Sequence, residues 1–207
     1  CGGNNHVIEG NRIHHVMQEL HDGAGIYVGF GKNMRLTGNW IHDIESEGGY
    51  GASAYYLDEQ AENCVVEGNF STNCAWPSHN HMAKNNTIRN NVFICEGDAK
   101  ITFPRSSEFA FAHNVVIAQG RITVTNPEAI VSMPNNILFS EKGIVEGKTL
   151  ENYAEKGTAN LVSREGSTSE DPGLVSCKNG KPVFARTSPI TKLGIKPIDV
   201  SKAGPRM

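Results

Sequence analysis

The chain has 207 residues, of which 38% are hydrophobic, and a net charge of −3 at pH 7. This length allows one domain with a substantial core, and the balanced charges lack the concentrated basic patch of a nucleic-acid-binding protein. No apolar stretch approaches the roughly 20 residues of a membrane-spanning helix, so we expect no membrane span.

Five cysteines are spread along the chain without a C-x-x-C pair. Their odd number and spacing argue against a zinc cluster or a disulfide scaffold, and we interpret Cys64, Cys74 and Cys95 as small buried side chains. The chain begins with Cys1 inside a repeat. We therefore expect a C-terminal fragment of a longer protein, with a mature lipoprotein acylated at Cys1 as the alternative.

A short motif ending in asparagine recurs six times, with β-branched residues alternating around it. The intervals between successive motifs are 28, 30, 22, 23 and 22 residues, counted between Asn11, Asn39, Asn69, Asn91, Asn114 and Asn136. A period of this size is typical of solenoids, in which each repeat stacks on its neighbours. The alternation predicts short strands.

The Gly-Asn and Asn-Asn pairs in these motifs are suited to turns, because Gly and Asn tolerate positive φ. Stacked asparagines can also satisfy polar groups whose unpaired burial would cost about 1–3 kcal/mol each. We predict an all-β fold, a right-handed parallel β-helix with coils of roughly 22 residues over residues 1–140. Leucine-rich repeats have a similar period, but the chain contains only eight leucines.

The first two intervals exceed 22 residues by six and eight residues, and the extra residues fall in 18–27 and 46–59. Long turns on a rigid solenoid usually carry binding and catalytic groups, so we expect the functional site there.

After about residue 140 the period is lost. We predict that residues 141–207 form an irregular C-terminal cap, packed on the coils in the same domain, because the open end of a solenoid must be covered. A short helix ending at Gly157 is predicted within this cap.

Carboxylates lie in both long turns. Asp22 precedes a predicted strand beside two glycines. Tyr27 lies twelve residues before Asn39 and Tyr56 lies thirteen before Asn69, and this spacing places Asp58 and Glu59 at the corresponding point of the next coil. Adjacent strands lie about 4.8 Å apart, and their side chains can lean together or apart. Carboxylates on them can therefore reach the separations used by retaining and inverting glycosidases, roughly 5 and 6.5–9.5 Å. Alternatively, Asp22 caps a turn and Glu59 is solvated.

Basic side chains follow in the third and fourth coils. His79 and His81 form an H-x-H pair that presents both imidazoles on one face, and we interpret them as substrate contacts, with structural or metal-binding roles as alternatives. Lys100 and Arg105 are further candidates, since arginine can clamp a uronate carboxylate or hold a catalytic aspartate. An edge salt bridge is the alternative for Arg105.

Aromatic residues accompany these groups. Tyr27, Tyr55, Tyr56 and Trp76 offer faces on which sugar rings stack, although we expect at least two of them to be buried. We count His21, beside Asp22, and Glu59, beside Asp58, among the substrate contacts, together with Tyr27 and Tyr56.

A second group of polar residues directly follows the asparagine motifs. We interpret His14, His15, His42 and Asp43 as a structural ladder.

The sequence resembles the right-handed parallel β-helix (pectate-lyase-like) carbohydrate-active enzymes, particularly the glycoside hydrolases of fucosidase and xylanase type. The resemblance lies in GNRIHHVMQELHDGAGIYV, GNWIHDI, YLDEQAENCVVEGN, HNHMAKNNTIRNNVF and SPITKLGIKPIDVSKAG. It implies acid catalysis by carboxylates on adjacent coils, with Asp22 and Asp58 at the matching positions. One of them must stay protonated while the other is ionised.

We therefore expect a glycoside hydrolase acting on a polysaccharide or oligosaccharide, with no cofactor and no metal. A polysaccharide lyase using Lys100 or Arg105 as base, with Ca²⁺, and a non-catalytic glycan-binding β-helix are the alternatives. We expect a bacterial protein that is secreted, periplasmic or cell-surface, monomeric and without a nucleic-acid partner.

Overall fold

The computed structural model describes residues 1–45 and 50–205. In this part of the chain the regular structure consists of short strands and three one-turn 3-10 helices, Pro127–Ala129, Arg164–Gly166 and Lys178–Gly180. No helix among these residues has the length and apolar character that crossing a bilayer requires.

Three large sheets contain most strands of the described residues. The first sheet is Val7–Glu9, Arg35–Thr37, Val65–Glu67, Thr87–Arg89, Phe109–Ala112 and Ile130–Ser132. The second sheet is Arg12–His14, Trp40–Ile44, Phe70–Cys74, Val92–Cys95, Val115–Ala118 and Ile137–Ser140. The third sheet is Gly23–Val28, Ala52–Leu57, Ser78–Asn80, Ala99–Thr102, Ile122–Thr125, Val145–Glu151 and Ala154–Ala159.

Two smaller strand pairs flank these sheets. Gly3–Asn4 pairs in parallel with Gly31–Lys32, and Leu174–Ser176 pairs antiparallel with Val183–Phe184.

Each repeat contributes one strand to each large sheet in turn, and the strand order within a sheet follows the chain. Neighbouring strands are parallel, except for the last pair of the third sheet. The prediction of an all-β fold is therefore confirmed. The stacked parallel sheets are compatible with a β-helix solenoid.

The core lies between the three sheets, because alternate side chains of most strands point inward. Leu36, Val66, Ile88 and Phe111 illustrate this arrangement: they share one register position of the first sheet, and each is at most 1% exposed. Truncating such a residue to alanine typically costs about 2–5 kcal/mol.

The two residues of each Gly-Asn or Asn-Asn pair have different structural roles. The first residue makes the turn: Gly38 and Gly68 have φ of 63° and 65°, and Asn90 takes the equivalent position at 51°. The second residue is the motif asparagine. From Asn39 onward these asparagines are fully buried.

The motif asparagines form a continuous hydrogen-bonded ladder. The backbone N–H and side-chain amide of Asn69 both donate to Oδ1 of Asn91 at 3.0 Å, and the side-chain amide also donates to the Leu36 carbonyl at 2.9 Å. The same pattern joins each motif asparagine to the next. The predicted stacking of these side chains is confirmed.

Ser167 continues this ladder beyond the last motif. Its Oγ accepts hydrogen bonds from the backbone N–H and side-chain amide of Asn136 at 3.1 and 3.2 Å, and donates to the Met133 carbonyl at 2.7 Å. The Thr168 N–H bonds to the Asn136 carbonyl at 2.9 Å. The ladder thus extends into the segment that the sequence predicted to be an irregular cap.

The third sheet also continues past residue 140. Val145–Glu151 pairs in parallel with Ile122–Thr125, and Ala154–Ala159 folds back on it as an antiparallel strand. The helix predicted to end at Gly157 is therefore wrong. A nine-residue helix is marginal by itself, whereas the open edge of the third sheet supplies backbone partners for a strand.

The rest of the tail covers the outer face of the second sheet. Ile195, Ile198 and Val200 are buried against apolar side chains of that sheet, including Phe70 and Val115. This second apolar cluster is separate from the core between the sheets.

The cysteines are all free thiols, and Cys64, Cys74 and Cys95 are buried, as interpreted from the sequence. Burial raises the pKa of the Cys74 thiol to about 12.

Candidate functional site

A row of polar and aromatic side chains crosses the outer face of the third sheet. Tyr27, Tyr56, His79 and Thr102 share one register position on four adjacent strands. The neighbouring Tyr55 belongs to the core, so this row points away from it. The Tyr27 and Tyr56 rings meet edge to face at 4.9 Å, and Tyr56 contacts the His79 ring at 4.3 Å.

The tyrosines of this row differ in exposure. Tyr56 is 3% exposed and Tyr27 is 37% exposed. Tyr55 and Tyr56 are thus the two buried aromatics that the sequence predicted.

Asp58 follows the strand Ala52–Leu57 and accepts two hydrogen bonds. Its Oδ2 receives the Tyr27 hydroxyl at 2.5 Å, and its Oδ1 lies 2.8 Å from Nδ1 of His81. Burial by itself would raise the pKa of Asp58. The hydrogen bonds from Tyr27 and His81 outweigh this effect and hold the pKa below its usual value, so the carboxylate is ionised at neutral pH.

Arg105 completes a chain of contacts that starts at Tyr27. A guanidinium nitrogen of Arg105 lies 2.6 Å from Nε2 of His81, whose Nδ1 contacts Asp58. Arg105 comes from the turn after Ala99–Thr102, and His81 from the turn after Ser78–Asn80. The third sheet therefore brings four side chains together from four successive repeats.

Asp22 lies at the opposite end of the strand pair from Asp58. Gly23 pairs with Ala52 and Val28 with Leu57, so Asp22 precedes the first pair and Asp58 follows the last. The expectation that the two carboxylates occupy corresponding points of adjacent coils is wrong. The spacing placed Tyr27 opposite Tyr56 correctly, but the two carboxylates lie on different sides of these tyrosines.

Tyr56 nevertheless connects Asp22 to the row. Its hydroxyl lies 3.4 Å from Oδ1 of Asp22. Burial raises the pKa of Tyr56, and the charges of Asp58 and Asp22 raise it further; the same two charges raise the pKa of Tyr27. Both carboxylates therefore lie within electrostatic reach of both phenols.

His79 and His81 present their rings on the same face, as the H-x-H spacing predicted. The rings are parallel within 4°, with centroids 6.3 Å apart. Nδ1 of His79 is hydrogen-bonded to the Thr102 hydroxyl. Burial lowers the pKa of His79 to about 4, so this imidazole is neutral at pH 7.

Lys100 occupies a separate position on the same face. Its ammonium lies 4.0 Å above the ring of Trp76, and Gly51 approaches the same indole so closely that a Cβ would lie 3.2 Å from it. Trp76 thus packs against the protein itself. Burial lowers the pKa of Lys100.

Other predicted contacts lie at the margin of the cluster. Nδ1 of His21 lies 3.5 Å from the backbone N–H of Tyr50, and no contact joins His21 to Asp58 in the described residues. Glu59 is half-buried, and its charge contributes to the raised pKa of Tyr27. Residues 46–49 of the second predicted long turn lie outside the described residues.

A second arginine–histidine–aspartate chain lies on the outer face of the second sheet. Nε of Arg12 donates to Nε2 of His42 at 3.1 Å, and Nδ1 of His42 lies 2.6 Å from Oδ2 of Asp43. Asn73 donates to the other Asp43 oxygen at 2.9 Å, and the His14 ring stacks on His42 at 4.7 Å. The stacked part of the predicted ladder is present. Sequence reasoning missed the chain of hydrogen bonds, although the His-Asp dipeptide was a signal for it.

No group of three or more His, Cys, Asp or Glu side chains among residues 1–45 and 50–205 could hold a metal ion. The grooves lined by Glu9, Gly38 and Asp199 and by Ile117 and Phe139 lie away from Asp58.

Comparison with protein-family models, with curated protein sequences and with solved structures gives no match for this chain.

Proposed function

We propose that the chain is a right-handed parallel β-helix and that the outer face of its third sheet is the active site of a glycoside hydrolase. The observation that carries this proposal is the ionised Asp58 carboxylate, held by Tyr27 and His81, with the second carboxyl group, Asp22, beside the adjacent Tyr56. Two carboxyl groups with different surroundings are what glycosidic cleavage needs.

The surroundings of the two groups suggest their roles. Asp58 receives two hydrogen bonds and stays ionised, so it is the base or the nucleophile. Asp22 is assigned as the acid, because Asp58 occupies the ionised role and glycosidic cleavage also needs a proton donor. Asp22 gives its proton to the glycosidic oxygen as the bond from that oxygen to C1 breaks. Asp58 takes a proton from the water molecule that attacks C1, or it attacks C1 itself and forms an ester. Water then hydrolyses this ester as Asp22 takes the water proton, which frees the Asp58 carboxylate.

The row of side chains crosses four adjacent strands of the third sheet, which suits a long substrate. A polysaccharide can lie across several strands, whereas a small ligand is usually enclosed in a pocket. Tyr27 is exposed enough to contact a sugar ring while its hydroxyl remains on Asp58.

Release of reducing ends from a panel of plant and algal polysaccharides tests this proposal. Asp58→Asn and Asp22→Asn should each lower turnover by several orders of magnitude while substrate binding persists. Asp43→Asn is the matched control, because Asp43 also contacts a histidine but lies on the second sheet. Full turnover in Asp58→Asn, or loss of turnover in Asp43→Asn alone, would contradict the assignment.

Chemical rescue separates the two roles of Asp58. In Asp58→Ala, added azide should restore cleavage and yield a glycosyl azide. Inversion at C1 in that product, with retention in the unchanged enzyme, identifies Asp58 as the nucleophile. Absence of any glycosyl azide would count against Asp58 as the group that acts at C1.

One observation favours a polysaccharide lyase as the second candidate. Burial lowers the pKa of Lys100, as a lysine base requires. A lyase produces an unsaturated sugar that absorbs ultraviolet light, whereas hydrolysis does not. Appearance of this absorbance, and its loss in Lys100→Met but not in Asp22→Asn, would favour the lyase.

A further inference from the structure

We propose that Arg105 is a positioning residue that keeps His81 neutral, with its proton on Nδ1, so that His81 donates a hydrogen bond to Asp58. Only the effect on turnover rests on the proposed hydrolase function. The effect on His81 itself is independent of what the protein does.

The chemistry of arginine determines which atom accepts in this contact. A guanidinium group donates hydrogen bonds and accepts none, and it stays protonated at any pH at which proteins fold. The 2.6 Å contact between Arg105 and Nε2 of His81 therefore requires a lone pair on Nε2. An imidazole with a free Nε2 lone pair is neutral and carries its proton on Nδ1.

The other side of the ring agrees with this assignment. Nδ1 of His81 lies 2.8 Å from Oδ1 of Asp58. The other oxygen of this carboxylate accepts the hydrogen bond from the Tyr27 hydroxyl. The proton on Nδ1 thus points at the carboxylate. The His81 and Asp58 side chains are 19% and 13% exposed, so few water molecules compete for these bonds.

A neutral His81 suits the role proposed for Asp58. An aspartate favours a second proton on a neighbouring histidine ring when no hydrogen-bond donor occupies Nε2, and the two side chains then form an ion pair. A positive ring in direct contact would stabilise the carboxylate and weaken it as a base or nucleophile. Arg105 prevents this second protonation because its N–H groups occupy the position that a proton on Nε2 would need.

The groups facing His81 are few. Asp58 and Arg105 contact its two nitrogens, and the neutral His79 ring lies parallel to it at 6.3 Å. Asp58 favours a proton on the ring, whereas Arg105 opposes one on Nε2. The charge of His81 therefore depends chiefly on whether Arg105 is in place.

The second sheet contains the same arrangement in different surroundings. Arg12 contacts Nε2 of His42, and Nδ1 of His42 contacts Asp43. The same deduction assigns His42 as neutral with its proton on Nδ1. The other oxygen of Asp43 is bound by the Asn73 amide, whereas the other oxygen of Asp58 is bound by a tyrosine hydroxyl. The contacts of Arg12, His42 and Asp43 are therefore an internal control for the contact between arginine and histidine.

The test is ¹⁵N-detected NMR of the histidine rings in the full chain, which distinguishes the two neutral tautomers and the imidazolium. In the unchanged protein at pH 7, His81 should be neutral with its proton on Nδ1. In Arg105→Met, His81 should become an imidazolium at a higher pH than in the unchanged protein. Arg105→Lys, which keeps one donor, should restore part of the original behaviour.

Arg12→Met is the matched control and should alter only the signals of His42. A His81 that is charged at pH 7 in the unchanged protein, or one whose titration ignores Arg105→Met, would overturn the proposal. If the protein hydrolyses glycans, Arg105→Met should lower kcat by about ten- to a hundredfold with little change in KM. A protein without turnover whose His81 still responds to Arg105 would remove the hydrolase proposal and leave this one standing.

Discussion

The Tyr27 hydroxyl donates a 2.5 Å hydrogen bond to Oδ2 of Asp58 across two adjacent strands of the third sheet. Burial, this hydrogen bond and the neighbouring negative charges raise the pKa of Tyr27, whereas the pKa of Asp58 is lowered. The proton therefore stays on the phenol at neutral pH. This direction of donation underlies the charge state of the candidate site.

Tyr27→Phe should raise the pKa of Asp58, because the carboxylate loses one of its hydrogen-bond donors. The acid limb of the pH profile of kcat/KM should then move to higher pH. Tyr153→Phe removes the hydroxyl of a tyrosine that is 87% exposed in the tail, and it should leave that limb in place. If the acid limb does not move in Tyr27→Phe, the ionisation of Asp58 does not determine kcat/KM.

Stability should decrease as the pH falls from about 6.5 to about 4. The folded protein holds the pKa of His79 at about 4, below the usual value of 6.5, so the unfolded chain binds a proton in this range and the folded chain does not. The contribution is at most about 1.4 kcal/mol for each pH unit. Urea denaturation at several pH values should show a flatter dependence in His79→Asn, with the exposed His15→Asn as the control.

Asn91→Ala should destabilise the protein strongly. The substitution leaves the backbone N–H and side-chain amide of Asn69 without their shared acceptor and removes a donor to the Val66 carbonyl. Each buried group left unpaired costs about 1–3 kcal/mol. The same change at the exposed Asn11 should cost much less, and equal losses in thermal denaturation would contradict the buried ladder as the source of stability.

Ser167→Ala should remove the final rung of the ladder. The backbone N–H and side-chain amide of Asn136 lose their acceptor, at an expected cost of about 1–3 kcal/mol for each unpaired group. Hydrogen exchange should increase at the Asn136 amide before it increases at the Asn69 amide. Ser167→Thr keeps the hydroxyl and is the control; a stable Ser167→Ala variant would show that the tail is held by its apolar contacts alone.

The repeat was predictable because its signals are local. A glycine or asparagine at positive φ followed by an asparagine describes a turn and a ladder position within two residues. Ser167 escaped prediction because it takes the place of an asparagine 31 residues after Asn136, outside the period.

The candidate site was only partly predictable. The spacing to the asparagine motifs placed Tyr27 opposite Tyr56, and this pairing is present. It did not predict that Asp22 and Asp58 lie at opposite ends of those strands, or that Arg105 contacts His81. Those relations depend on how far each side chain reaches and on which end of a strand it occupies.

The strands, the turns and the stacked asparagines follow from the amino-acid pattern, because each depends on backbone preferences and burial within a few residues. The meeting of Tyr27, Asp58, His81 and Arg105 does not. These residues come from four repeats of unequal length, and only the parallel register of the assembled sheet brings their polar atoms within hydrogen-bonding distance.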